Sequence, residues 1–199
     1  MADLFHAIVC GDAPAAVSAA RARLDAGFAA LEIVNREMVP AMDEVGRRFD
    51  CEEYFVPQLL LSARAMKGAL ELLRPLLVAA GARGAGRVAI GTVKGDLHDI
   101  GKNIVSAMLE GAGFEIRDLG VDVPPARFVD AVRDGAGLVC LSALLTTTMP
   151  AMKATLDALC SAGLRSHAAV IIGGAPVSSR FAKRLGPTAM ARTRRKPSL

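Results

Sequence analysis

The chain has 199 residues, 52% of them hydrophobic but only 4% aromatic, and a formal net charge of +4. That length admits one domain or two small ones, and an apolar content carried by alanine and leucine is ample for a core and favours helices. The charge excludes less than it suggests. From Arg180 onward there are seven basic residues and no acidic one, so the preceding 179 residues carry 17 basic and 20 acidic groups. A basic tail without interleaved aromatics lacks the stacking platform of a nucleic-acid binder. Apolar runs are short and broken by charge, the N-terminus lacks a signal-peptide layout, and Cys10, Cys51, Cys140 and Cys160 form no C-x-x-C pair. These features predict a cytoplasmic protein with reduced thiols, no membrane span and no zinc site.

Residues 1–80 read as helices. Asp12 is an N-cap with Pro14 in the first turn, and Ala15 to Ala26 has a helical apolar pattern closed by Gly27. A third helix is predicted from about Ala29 to Arg48, with Leu31, Val34, Met38, Met42 and Val45 at helical spacing. Pro40 should kink or break it. A fourth runs from Val56 to about Leu77. Short connections make these a four-helix bundle. Val78 to Gly86 is small, Gly-rich and aperiodic, which reads as a linker over 81–86.

From Arg87 the pattern alternates. Strands are predicted at Val88–Gly91, Glu115–Leu119, Leu138–Ser142 and Val170–Ile172. Helices are predicted at Lys102–Glu110, Ala126–Asp134, Met149–Ser161 and Ser178–Leu185. Serial β-α units give a parallel, doubly wound sheet, so 87–199 is a second domain. A phosphate loop does not fit, because Gly95 to Gly101-Lys102 is one residue too long and Asn103 is neither Ser nor Thr. No G-x-G-x-x-G follows a strand.

The stretch Gly95-Asp96-Leu97-His98-Asp99-Ile100-Gly101 follows the first predicted strand. In an extended loop residues i and i+2 project to one side, so Asp96 can reach one ring nitrogen of His98. The other nitrogen then presents its lone pair, as a metal-ligating histidine does. Those three residues alone fit a surface-loop histidine with an acidic neighbour equally well. Two further loops lie at strand ends: Ser142 to Met149, rich in hydroxyls, and Gly173-Gly174. In an open α/β sheet, ligands bind beyond the carboxyl ends of the strands.

The longer string Gly91 to Val105, containing Asp96-x-His98-x-x-Gly101, resembles the cobalamin-binding signature of the B12-binding domains of methionine synthase and of corrinoid methyl-carrier proteins. The segment Glu44 to Lys67, with Tyr54-Phe55-Val56-Pro57, resembles the helical cap that precedes that domain. The resemblance covers about Asp12 to Leu185. It implies a four-helix cap followed by a Rossmann-like, flavodoxin-like B12 domain.

It also implies a cofactor, cobalamin, bound base-off with His98 as the lower cobalt ligand, and a relay His98–Asp96–Thr148. Ser142, Leu144 and Thr146, together with Leu97, Asp99, Ile100 and Gly101, would approach the cofactor or its buried tail. Gly173 and Gly174 would wall the tail pocket. Phe49 and Val56, for which bundle core is the lesser alternative, would shield the upper face. The implied function is a methyl carrier between a substrate-specific methyltransferase and a second one whose acceptor is tetrahydrofolate or coenzyme M. A reductive activator would be a further partner. The chain reads as a carrier subunit rather than a complete enzyme. A B12-dependent regulator and the B12 subunit of a mutase are the competing members of the same group.

The sequence departs from the family after Gly186, where an acidic last helix gives way to the basic 186–199 tail. Written in GC-rich codons, Pro187 to Lys196 yields Asp-Gly-Tyr-Gly-Glu-Asp-Ala-Ala-Glu in a shifted frame, close to the family's segment. The last strand and helix are therefore expected to be altered or missing.

Overall fold

The computed structural model describes residues 3–81, 84–186 and 189–190. The chain divides into two compact units, one of residues 1–85 with 107–114 and one of residues 86–106 with 115–199.

The first unit is helical. Helix α1 is Leu4–Val9, capped by the Asp3 side chain. Helix α2, Ala13–Asp25, starts where Asp12 accepts from the Ala15 N–H at 3.0 Å, with a proline in its first turn. It ends in a Schellman pair, Phe28 N–H to Arg23 O and Gly27 N–H to Leu24 O. Helices α3, Ala30–Ile33, and α4, Val39–Asp50, form one run through a π-helical turn at Val34–Met38. Of the kink or break expected at Pro40, the structure excludes the break. A proline has no N–H and its ring crowds the carbonyl four residues earlier. The wider π turn directly before it absorbs that conflict within a continuous helix.

Helix α5, Val56–Ala79, carries Pro75 within it. The core of the unit is Leu4, Ile8, Ile33, Met38 and Leu73 with small residues such as Ala16, Ala20 and Ala69 between them. Full burial of one such leucine contributes about 1.5–3 kcal/mol. The last carbonyl of α1, Val9 O, accepts from both Tyr54 Oη and the buried Ser62 Oγ, each at 3.0 Å. Those bonds satisfy an orphan group at the helix end.

The second unit holds a sheet of five described strands: β1 Arg87–Thr92, β2 Glu115–Asp118, β3 Leu138–Ser142, β4 Ala169–Gly173 and β5 Ala189–Met190. All pair in parallel in the order 2-1-3-4-5. Strands β1, β3 and β4 read as near-continuous apolar runs, as covered inner strands do, whereas the edge strand β2 is polar and largely exposed. Helices α6, Ile100–Gly111, α7, Pro125–Arg133, α8, Pro150–Ser161, and α9, Ser179–Leu185, link them. Order 2-1-3-4-5 puts the switch point between β1 and β3, and the crevice at their carboxyl ends is where such folds bind ligands.

Phe128 of α7 is the largest fully buried side chain. A Cβ on Gly91 would lie 2.9 Å from its ring, so only glycine lets α7 close on β1 there. The far end of α6 belongs to the helical unit. Met108 packs on that unit's core, and Glu110 pairs with Lys67 at 2.6 Å. The fifth strand survives as a two-residue pairing, Ile171 with Ala189 and Ile172 with Met190. The rest of the atypical tail, including Pro187, Thr188 and everything after Met190, lies outside the described residues, as do Ala82 and Arg83 of the linker.

Candidate functional site

Asp96 is the buried centre of the switch-point loops, with no exposed surface. Its Oδ1 accepts from the His98 backbone N–H at 3.1 Å and lies 2.8 Å from His98 Nδ1. Its Oδ2 accepts from Thr148 Oγ1 at 2.7 Å, from Leu144 N–H at 2.8 Å and from Leu145 N–H at 3.3 Å. Burial works to raise its pKa. The donors from Thr148, His98 and Leu144 outweigh that, and hold the carboxyl well below the usual carboxylate range.

An ionised Asp96 fixes the tautomer of His98. Nδ1 must carry the proton it shares with Oδ1, so Nε2 keeps its lone pair. The ring is half exposed, and among the described residues Nε2 has no hydrogen-bond partner. Thr92 holds the loop from below, its Oγ1 donating to His98 O at 2.9 Å. Thr148 Oγ1 also lies 2.9 Å from Leu145 O, so its single proton is shared between that carbonyl and the closer Asp96 Oδ2.

The structure therefore brings Asp96, His98, Leu144 and Thr148 together. Leu97 and Ile100 are 71% and 76% exposed. Asp99 is exposed and accepts from Asn103 Nδ2, and Gly101 lies in the first turn of α6. Ser142 ends β3, half-buried, with its carbonyl accepting from Val93 N–H. Thr146 is exposed at the loop tip. Gly173 ends β4, and Gly174 has φ +130°, with Ala143 O only 1.8 Å from where its Cβ would be. The loops after β3 and β4 touch backbone to backbone there, which no other residue type allows. Phe49 and Val56 belong to the helical unit. Phe49 is half-buried against its core, and Val56 is the first residue of α5.

Three residues of this site escape the sequence reading: Thr92, Lys94 and Asp122. Thr92 had a signal, as a lone hydroxyl closing an apolar strand. Lys102 was read only as a helix start. It is in fact buried, paired with Asp118 and Asn103.

The donor set suits a chelated metal better than a bare one. Among the described residues no three His, Cys, Asp or Glu side chains cluster to hold an ion. One imidazole, its Nε2 without a hydrogen-bond partner among the described residues, would supply a single ligand to a metal already held by a macrocycle. A macrocycle also needs an apolar floor. Every exposed large hydrophobic side chain described in the sheet unit, Leu97, Ile100, Val121, Leu144 and Leu145, stands on or beside the loops after β1, β2 and β3. Exposed apolar residues confined to one edge mark a binding surface.

The fold and site thus define a protein of the doubly wound α/β class that offers one carboxylate-oriented histidine above an apolar floor. Family models for a B12 binding domain match residues 86–190 and residues 1–74. Dimethylamine corrinoid protein 1 of Methanosarcina acetivorans is 40% identical over 174 residues, which is 86% of this chain and 80% of that one. A solved cobalamin-binding protein from Desulfitobacterium hafniense superposes with a TM-score of 0.81 at 35% identity, covering 94% of this chain and 90% of the other. The methanol:cobalamin methyltransferase complex of Methanosarcina barkeri gives a TM-score of 0.81 at 30% identity, over 95% of this chain and 72% of that one. This chain belongs to the cobalamin-binding corrinoid proteins of methyltransferase systems, and its cofactor is a corrinoid. No helix among the described residues is long and apolar enough to cross a membrane.

Proposed function

We propose that the protein is a methyl carrier that holds its corrinoid base-off with His98 as the lower cobalt ligand. When bound, the corrinoid supplies the metal centre at which a methyl group is accepted and given up. The observation that carries this reading is the chain from buried Thr148 and Asp96 to the half-exposed His98, whose Nε2 has no hydrogen-bond partner among the described residues.

Each residue has a defined task. Nε2 presents a lone pair. Asp96 Oδ1 holds the proton on Nδ1 and makes the imidazole a stronger donor. Thr148 Oγ1, with the Leu144 and Leu145 amides, keeps Asp96 ionised and immobile. Asp96 and Thr148 would tune the exchange of His98 between its ligating and free states through the proton held at Nδ1. Leu97, Ile100 and Leu144 form the floor on which the macrocycle rests. Gly173 and Gly174 allow the β4 loop to wall the pocket for the nucleotide tail, with Ser142 and Thr146 offering hydroxyls to it. Asp99 and Gly101 shape the turn into α6.

The partners in this reading are a substrate-specific methyltransferase and a second methyltransferase whose acceptor is tetrahydrofolate or coenzyme M. A reductive activator restores a carrier that has been oxidised. Dimethylamine and methanol systems supply the candidate first partners, by the relatives' descriptions. Reduced holo-protein is to be mixed with purified methylamine- and methanol-specific methyltransferases and their substrates, with free cobalamin as control. Methyl transfer to the holo-protein by one of them, seen in the visible spectrum, is the expected result. If every such enzyme methylates free cobalamin but none the holo-protein, the carrier reading fails.

A further inference from the structure

The loop between β2 and α7, residues 119–124, grips the histidine loop through one residue. Asp122 Oδ1 accepts from Gly95 N–H at 2.7 Å, and Oδ2 accepts from Lys94 Nζ at 3.0 Å. The backbone N–H of Asp122 donates to Asp96 O at 2.9 Å. Three consecutive residues, 94 to 96, are thus held by one. The contacts flanking Asp122 are strand-like: Thr92 N–H to Gly120 O at 3.0 Å, Val123 N–H to Thr92 O at 2.9 Å, and a parallel bridge between Val93 and Val123.

Asp122 pays for this placement in backbone conformation. Its φ is +53°, in the left-handed region that side-chain-bearing residues seldom occupy. Such outliers persist where the surroundings over-determine them, and they gather at functional sites. Aspartate and asparagine are among the side-chain-bearing residues that tolerate this conformation. The carboxylate is what distinguishes aspartate: it has two acceptor oxygens, and both are used on the histidine loop.

We propose that Asp122 is a positioning residue for the corrinoid ligand. It clamps residues 94–96 so that Asp96 meets His98 Nδ1 and Nε2 is presented for ligation. Among the described residues nothing joins Asp122 to the His98 ring directly, and it acts through the Gly95 and Asp96 backbone and the Lys94 side chain. The proposal rests on the reading that His98 ligates cobalt.

The test compares Asp122→Asn with Asp122→Gly. Asparagine tolerates a positive φ and keeps an acceptor for Gly95 N–H. Glycine fits the backbone better but has no acceptor, so it removes the clamp without straining the fold. Wild-type and variant proteins are loaded with methylcobalamin. The visible spectrum, and the nitrogen splitting in the paramagnetic resonance of the reduced cobalamin, give the ratio of histidine-ligated to unligated cofactor. Amide exchange at Gly95 in the cofactor-free protein reads the clamp itself.

In D122G that ratio should fall about tenfold, the scale on which residues behind a metal ligand act. Gly95 exchange should rise about tenfold, as expected when a loop hydrogen bond is lost. D122N, which keeps the acceptor for Gly95 but loses the one for Lys94, should lie between D122G and wild type in the ligation ratio, with Gly95 exchange near wild type. Faster Gly95 exchange in D122G with an unchanged ligation ratio would overturn the proposal and leave Asp122 a loop-packing residue. Wild-type protein that never shows His98-dependent ligation would instead sink the reading of His98, and this proposal with it.

Discussion

A carboxylate with no exposed surface is tolerable only when its lone pairs are filled, and Asp96 shows how completely that is done. Five donors converge on its two oxygens, three of them from the loop that follows β3. Thr148→Val keeps the shape and removes one donor. Stability should fall by about 1–2 kcal/mol, the usual cost of a lost buried hydrogen bond. Thr148→Ser should stay near wild type; denaturant titration distinguishes the two. Cys140 gives an independent check on the same unit. Burial pushes its thiol up to about 11, whereas Cys10, Cys51 and Cys160 are exposed. At neutral pH a thiol-disulfide reagent should therefore modify three cysteines of the native protein, and the fourth only on unfolding. Four modified cysteines without denaturant would show that β3 is not packed as described. Asp96, His98 and Thr148 were visible in the sequence because two of them share a short motif and the third stands at a family-typical offset. Asp122 was not, since its partners Lys94 and Gly95 lie 28 and 27 residues away. Only the register of β2 beside β1 brings them together.

Elements were legible wherever one period ran undisturbed. The apolar runs of β1, β3 and β4 stand within a residue or two of their predicted places, because buried parallel strands need no alternation. Helical spacing located the run 30–50 but not its π turn, which changes no residue's apolar character and leaves the period almost intact. The division of α6 between two units was likewise invisible, since a single amphipathic pattern covers the whole helix. Close packing between elements is also beyond periodicity. That Gly91 exists for Phe128 follows only from the 2.9 Å approach. Phe128→Ala should destabilise the protein by about 3–5 kcal/mol, the range for truncating a buried phenylalanine. Thermal denaturation checks this. A change below about 1 kcal/mol, typical of surface positions, would mean that α7 does not close on β1 as described.

At the scale of the molecule, the switch point between β1 and β3 explains why the site lies where it does. Two strands that part company leave a crevice. The loop after one supplies the ligand and its carboxylate, and the loop after the other supplies the hydroxyl and amides that hold the carboxylate. The net positive charge belongs to the tail and describes the body poorly, since the first 179 residues carry an acidic excess. The most direct test of the account is retention of methylcobalamin through gel filtration by wild-type protein and by His98→Ala. Wild-type protein should keep the cofactor with a base-off spectrum, and its reduced form should show histidine nitrogen splitting. H98A should lose that splitting and bind the cofactor at least about tenfold more weakly. Identical spectra and retention in the two proteins would contradict the central claim that His98 is the cobalt ligand.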